Sequence, residues 1–303
     1  MWWERLPELA PYRDEPKQLA SGVAGKDGAL ELRFAPNGDR TNLVELYRRA
    51  PLLVQKALYW DVAMPGLPCV MIITTSGCIL QGDRYRIKIE LADSAQAHIT
   101  TQAATKIHSM DANFAAQTQD IVVGENAYLE LIPDTVIPHA HARFVTHTQL
   151  AVHPTATVFY SEILLGGRKY YKQGELFQFD LFSSLVTGRR PDGTTLFTEK
   201  FVISPAQQAV RRAGMMGPFD VFGNVLVLTP KDQSEAILAQ TPALYNQEEC
   251  WMAGASRLPN DAGIIYKVVG TQSEQVKRIV RNFLAVVRQQ VTGNSLPPAF
   301  HWQ

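Results

Sequence analysis

The residues of this chain best suited to chemistry lie in "IPHAHARF", where His139 and His141 stand two apart. On a β-strand, residues i and i+2 point to the same face, so both imidazoles would reach one ion there. Asp134 lies just upstream, and His147 and His153 follow. Imidazole with carboxylate suits a borderline divalent ion such as nickel or zinc. The spacing is neither the HExxH helical pattern nor a recognisable facial triad. A tight shell built from Asp134, His139 and His141 would make a hydrolytic metal site; a loose one would hold an ion only in passing.

Other chemistries find less support. "SGCILQGD" and "LLGGRK" look like phosphate loops, but no GK[ST] follows and the next element reads as a strand. The converging N–H groups of a helix N-terminus are therefore missing, and these glycines are expected in turns at positive φ. Cys78, between Gly77 and Ile79, is expected as a packed thiol, and no G-x-S-x-G elbow occurs.

The elements that must position these side chains are mostly strands. In "RYRIKIEL", Tyr85, Ile87, Ile89 and Leu91 alternate with Arg84, Arg86, Lys88 and Glu90, which predicts a strand with one buried and one wet face. "ALELRFA", "CVMIITTSG", "AHITTQAA", "YLELIP", "TVFYSEILL", "TLFTEKFVIS" and "NVLVLTP" read the same way. A weak repeat joins three of them: an apolar residue, three turn formers, then alanine, beginning at Leu91, Val123 and Val152. The copies are 32 and 29 residues apart. A period near thirty with strand–turn–strand content predicts stacked β layers, a solenoid-like helical stack, though three ordinary hairpins would leave the same trace.

Helical periodicity appears late. "KDQSEAILAQTPAL" follows Pro230 with Asp232 or Ser234 as a cap, and a longer helix has Ser273 as its cap and Gly293 as its stop. The longer one places Val276, Ile279, Val280, Phe283, Val286 and Val287 on one face. The fold class is thus mainly β with about two helices in the C-terminal half. Residues 1–303 read as a single domain, with 1–25 an extended N-terminal arm.

Composition narrows the function. Lys and Arg total 29 and Asp and Glu total 29, so a general basic surface for nucleic acid is disfavoured. No stretch approaches the roughly 18 apolar residues of a membrane span, and the first residues lack the apolar run of a signal peptide. Three cysteines without CxxC spacing predict neither a disulfide framework nor a structural zinc site, which fits a cytoplasmic protein.

Five segments in order, "TSGCILQGDRYRIKIEL", "AHITTQAATKIHSM", "AYLELIPDTVIPHAHARF", "GRKYYKQGELFQF" and "SRLPNDAGIIYKVVG", resemble the urease accessory protein family called UreD or UreH. They span roughly residues 69 to 270. Many relatives carry a PGGxxxGGD turn where this chain has "TTSGCILQGD", with Gln81 in place of a glycine.

The resemblance implies a scaffold rather than an enzyme. Such a protein would bind urease apoprotein and UreF, which recruit the GTPase UreG, and would pass nickel(II) toward the urease active site without binding any cofactor tightly. Asp83, Asp134 and Glu175 fall on family motif positions and are expected to line the passage, followed by His139 and His141. Thr100, Thr101 and Gln102 would wet its wall. Asp83 also suits a turn, Arg168 and Glu175 would close a hairpin as an ion pair, and Glu130 is expected on a solvated face or paired with Arg143. The tract containing Met215, Met216 and Phe219 is the expected partner surface.

Overall fold

The computed structural model describes residues 1–13 and 26–298. Two sheets make up most of it. The first has seven strands, in spatial order Thr195–Ile203, Leu181–Arg189, Arg143–Val152, Ala115–Val123, Arg84–Leu91, Asp27–Asn37 and Arg40–Arg49. The second runs Leu244–Asn246, Trp251–Arg257, Gly263–Gly270, Val221–Leu228, Thr157–Leu165, Tyr128–Leu131, Gln96–Gln102, Cys69–Thr74 and Leu52–Leu53. Two short strands, Thr105–Ile107 and Val136–Pro138, pair with each other beside it.

Between Cys69 and Arg189 the main strands fall alternately on the two sheets, and the long ones pair in parallel with the next copy. The weak sequence repeat is visible in this register: Leu91 lies opposite Val123, and Val123 opposite Val152. Both ends of the array turn antiparallel, as hairpins allow and crossovers do not. The alternation in "RYRIKIEL" holds residue by residue, with Tyr85, Ile87, Ile89 and Leu91 buried. They join Leu30, Leu32, Ile121 and Leu150 of the first sheet and Val70, Ile99, Leu129 and Val158 of the second in one core. Each such side chain contributes about 1.5–3 kcal/mol by leaving water, so this shared interior holds the sheets together.

Helix α1 (Lys231–Ala239) and helix α2 (Ser273–Thr292) meet the expectation of two helices in the C-terminal half. Neither N-terminus has a side-chain cap: Pro230 and Gln272 take the cap positions, and Ser234 instead donates to the Lys231 carbonyl. Gly293 ends α2 in the left-handed conformation, as its position implied. The apolar stripe of α2 packs on the outer face of the second sheet, where Phe283 stacks on Tyr266 at 4.2 Å and meets Phe159.

The opening residues differ from an extended arm. Residues Trp2–Arg5 and Pro7–Tyr12 form short 3-10 turns, because Leu6 and Leu9 find a pocket made by Phe114, Val145 and Leu181 on the first sheet. The Trp2 indole donates to Thr118. The remainder of the expected arm, 14–25, lies outside the described residues. No helix among the described residues is long and apolar enough to cross a membrane.

Candidate functional site

Between the two sheets the packing is incomplete, and several polar side chains reach a largely apolar gap. A cavity of about 80 Å³ is walled by Thr101, Thr105, Gln117, Gln119, Asp134, Thr146, Tyr160 and Glu162 among apolar neighbours. That is room for several waters. It shares Thr74, Ile79, Thr101 and Thr105 with an outer hollow of about 200 Å³, which also touches Cys78, Gln102 and Lys106. On its other side it shares Pro133, Asp134 and Ile163 with a space of about 50 Å³ beneath α2, lined by His98, Thr100, Lys277 and Arg281. Three spaces, each with polar groups set in a partly apolar wall, therefore share lining residues from the Cys78 turn to the underside of the C-terminal helix.

Asp134 is the expected passage residue that lines this interior. Its Oδ1 lies 3.3 Å from Lys277 Nζ and accepts the Thr135 N–H at 2.7 Å. The Asp134 backbone N–H donates to the Thr101 hydroxyl. Thr100, Thr101 and Gln102 also fall on these walls.

The other four carboxylate and histidine candidates are placed elsewhere. Asp83 is 1% exposed and accepts from the N–H groups of Lys26 and Leu80 and from the Tyr85 hydroxyl, at 2.6–2.8 Å. It follows a turn in which Gly77 and Gly82 both adopt positive φ. Glu175 takes two 2.7 Å hydrogen bonds from Arg168, the expected hairpin pair. Burial opposes its ionisation, and the Arg168 bonds outweigh burial and keep its pKa below the usual carboxylate range.

The reading of His139 and His141 as a same-face strand pair is corrected. Strand structure stops at Pro138 and resumes at Arg143, so both histidines sit in a turn, with His141 at φ 61°. His139 is 7% exposed and has its pKa lowered to about 4 by burial and then by the Arg168 cation. The His141 side chain is 70% exposed and its Nδ1 is 3.3 Å from Asp180. Asp134 is engaged with Lys277 instead. Among the described residues no group of three or more His, Cys, Asp or Glu is arranged to hold a metal. A hydrolytic shell of Asp134, His139 and His141 is not formed.

Two carboxylates matter more than their sequence settings suggested. Glu130, expected on a wet face, is fully buried. Arg288 of α2 grips it with two 2.7 Å bonds, the Tyr128 hydroxyl donates to it at 2.6 Å, and His98 Nδ1 lies 2.6 Å away. Arg288 also reaches the buried Asp61. Burial alone would raise the Glu130 pKa; hydrogen bonds from His98 and Arg288 prevail and bring it down to about 2. Among the described residues Glu162 has no such cation. Ser184 donates to both its oxygens at 3.0 Å, and burial pushes its pKa up to about 6. What surface Glu162 keeps faces the interior cavity. In "VFYSEILL" it is a single acid inside an apolar run, the one signal that could have drawn attention to it.

A second concavity, of about 990 Å³, opens where the first sheet ends at Phe201 and Ile203 and the second at Leu244, Tyr245 and Met252. Met215, Met216 and Phe219 all line it, but only Met215, 44% exposed, offers much surface; Met216 and Phe219 are rooted in the core.

The UreD urease accessory protein family matches residues 26–303. Urease accessory protein UreD 2 of Brucella suis is 54% identical over 97% of this chain and 98% of its own length. The UreD proteins of Photorhabdus laumondii and Yersinia pseudotuberculosis are 50% and 49% identical, each over 98% of this chain and 92% of theirs. On a match of this extent, following the ordered motifs and the two-sheet fold, the chain belongs to the UreD family of urease accessory proteins.

Proposed function

We propose that this chain is a urease maturation scaffold that binds urease apoprotein together with UreF and, through UreF, UreG, and that gives nickel(II) a route through its interior. It works by binding and hand-off in the cytoplasm rather than by turnover. The parallel strands from Cys69 to Arg189 are read as a short solenoid-like stack, because successive copies pair in register across both sheets. The observation that carries the reading is the run of three wall-sharing spaces, partly apolar, into which Asp134 and Glu162 bring carboxylates. A conduit needs ligands that an ion can enter and leave, and a complete shell would trap it. Asp134 and Glu162 supply carboxylates, and Thr101, Gln119 and Tyr160 supply neutral oxygens, without closing a shell.

Asp83 and Glu175 act in this reading by shaping the turns around the route. The apolar concavity at Met215, Met216 and Phe219 is the proposed partner surface. The test is co-expression with a matching urease and its other accessory proteins, pull-down on this chain, and a nickel count on the recovered urease. Co-purification of urease and UreF, with nickel-poor urease when this chain is omitted or carries Glu162→Ala, is the expected result. Normal nickel filling without the chain would overturn the scaffold reading. Normal filling with Glu162→Ala and Asp134→Ala would overturn the route.

A further inference from the structure

The structure breaks the pair His139/His141 and forms another. Thr105–Ile107 and Val136–Pro138 are parallel neighbours, with Lys106 opposite Ile137 and Ile107 opposite Pro138. The next residue on each strand is a histidine, so this register sets His108 beside His139. Their ring centres are 5.5 Å apart and their planes inclined by 54°. Two imidazoles sharing an ion through nitrogens about 2 Å from it stand with ring centres roughly 4.5–5 Å apart, so a small side-chain adjustment closes the gap.

The protonation pattern suits a ligand pair. His108 Nδ1 is 3.1 Å from the Ser109 carbonyl oxygen, which accepts from an N–H there and leaves the Nε2 lone pair free. His139 is more than nine-tenths buried and has no ring hydrogen bond among the described residues. Burial and then the Arg168 cation keep it neutral at physiological pH. The charges near it are Arg168 and Lys106, which oppose a cation, and Glu175, which favours one.

We propose that His108 and His139 form a two-imidazole site for a borderline divalent cation, with water completing the shell. Two protein ligands, with no third among the described residues, make such a site weak and exchangeable. It lies beside the outer hollow: the His108 N–H donates to the Ile79 carbonyl, and Ile79 and Lys106 both line that space. The site rests on the geometry alone; the choice of nickel as probe rests on the urease-accessory reading.

The test uses the full chain without a histidine tag and Ni²⁺ alone as probe. Uptake is followed by titration calorimetry near pH 7.5, and imidazole ligation by X-ray absorption. Stoichiometric uptake is expected, with His108→Ala and His139→Gln each weakening it by roughly tenfold or more, as loss of even an outer-shell partner does. His141→Ala leaves it unchanged. Circular dichroism and the unfolding midpoint check that each variant is folded, and His108→Ala, altering an exposed ring, decides the matter if His139→Gln is not. Absence of stoichiometric uptake, or equal affinity in wild type and His108→Ala, overturns the site. Uptake that depends on both histidines while urease filling does not would uphold the site and count against the transport reading at this point.

Discussion

Glu130 and Glu162 sit on adjacent parallel strands of the same sheet and are both shielded from bulk water, yet they behave in opposite ways. Glu130 faces α2 and is held between Arg288 and His98. Glu162 faces the cavity between the sheets and meets the neutral side chains of Ser184, Tyr160 and Asn224 rather than a cation. One carboxylate is saturated and its pKa falls to about 2; the other is undersatisfied and its pKa rises to about 6. Strand alternation alone produces the difference, since residues of opposite parity on paired strands see different neighbours. A saturated carboxylate fastens a helix. An undersatisfied one is available to an incoming ion.

The largest expected effect breaks the saturated side. Arg288→Ala leaves Glu130 and Asp61 buried without their cation, and removing one partner of such a pair costs about 3–5 kcal/mol. Urea unfolding should show that loss, and a loss under about 1 kcal/mol would mean the network holds little. The same network predicts a pH signature. Glu130 has a folded pKa below its unfolded value near 4.5, so its stabilisation is complete above that pH and is lost as pH falls toward about 2. Glu130→Gln should flatten that part of the acid denaturation profile.

Glu162 carries the opposite sign. Its folded pKa lies above the unfolded value, so the unfolded chain loses this proton first and stability declines as pH rises from about 4.5 to 6, then levels off. Glu162→Gln should remove the decline and stabilise the protein at pH 7 by about 1–2 kcal/mol, while lowering urease nickel filling in the co-expression assay. A stabilised variant that fills urease normally would separate the buried charge from any role in transport.

The strands named from the sequence and both helices were legible because period-two and period-3.6 burial are local properties, whereas strands such as Ala115–Val123, Arg143–Val152 and Leu181–Arg189 were not singled out. The repeat at Leu91, Val123 and Val152 was legible for the same reason, each copy burying the same positions. The sites were less so. Glu130 was misplaced because its partner Arg288 is 158 residues away, and no local pattern encodes that contact. His141 was misread because a same-face argument holds only within a strand, and the backbone turns at φ 61° at that residue. Asp83 and Arg168–Glu175 were read better: Asp83 gathers its turn, and Arg168 pairs with Glu175 as expected, seven positions apart, though across an irregular loop rather than a hairpin.

Asp134 stands between the two extremes and gives the smallest effect. Like Glu130 it has a cationic partner, Lys277, and like Glu162 it lines the interior cavity. Lys277 also has Glu274 within 3.4 Å, so it is not stranded when Asp134 loses its charge. Asp134→Asn keeps an acceptor for the Thr135 N–H and gives up a part-buried ion pair, and the expected loss of stability is below about 1 kcal/mol. Its effect on nickel filling should be larger than its effect on folding, because an amide replaces a carboxylate oxygen on the cavity wall. If Asp134→Asn behaves like Arg288→Ala and unfolds the protein, Asp134 belongs with the fastening carboxylates. If it folds and starves urease of nickel, it belongs with Glu162, and the passage has two carboxylates rather than one.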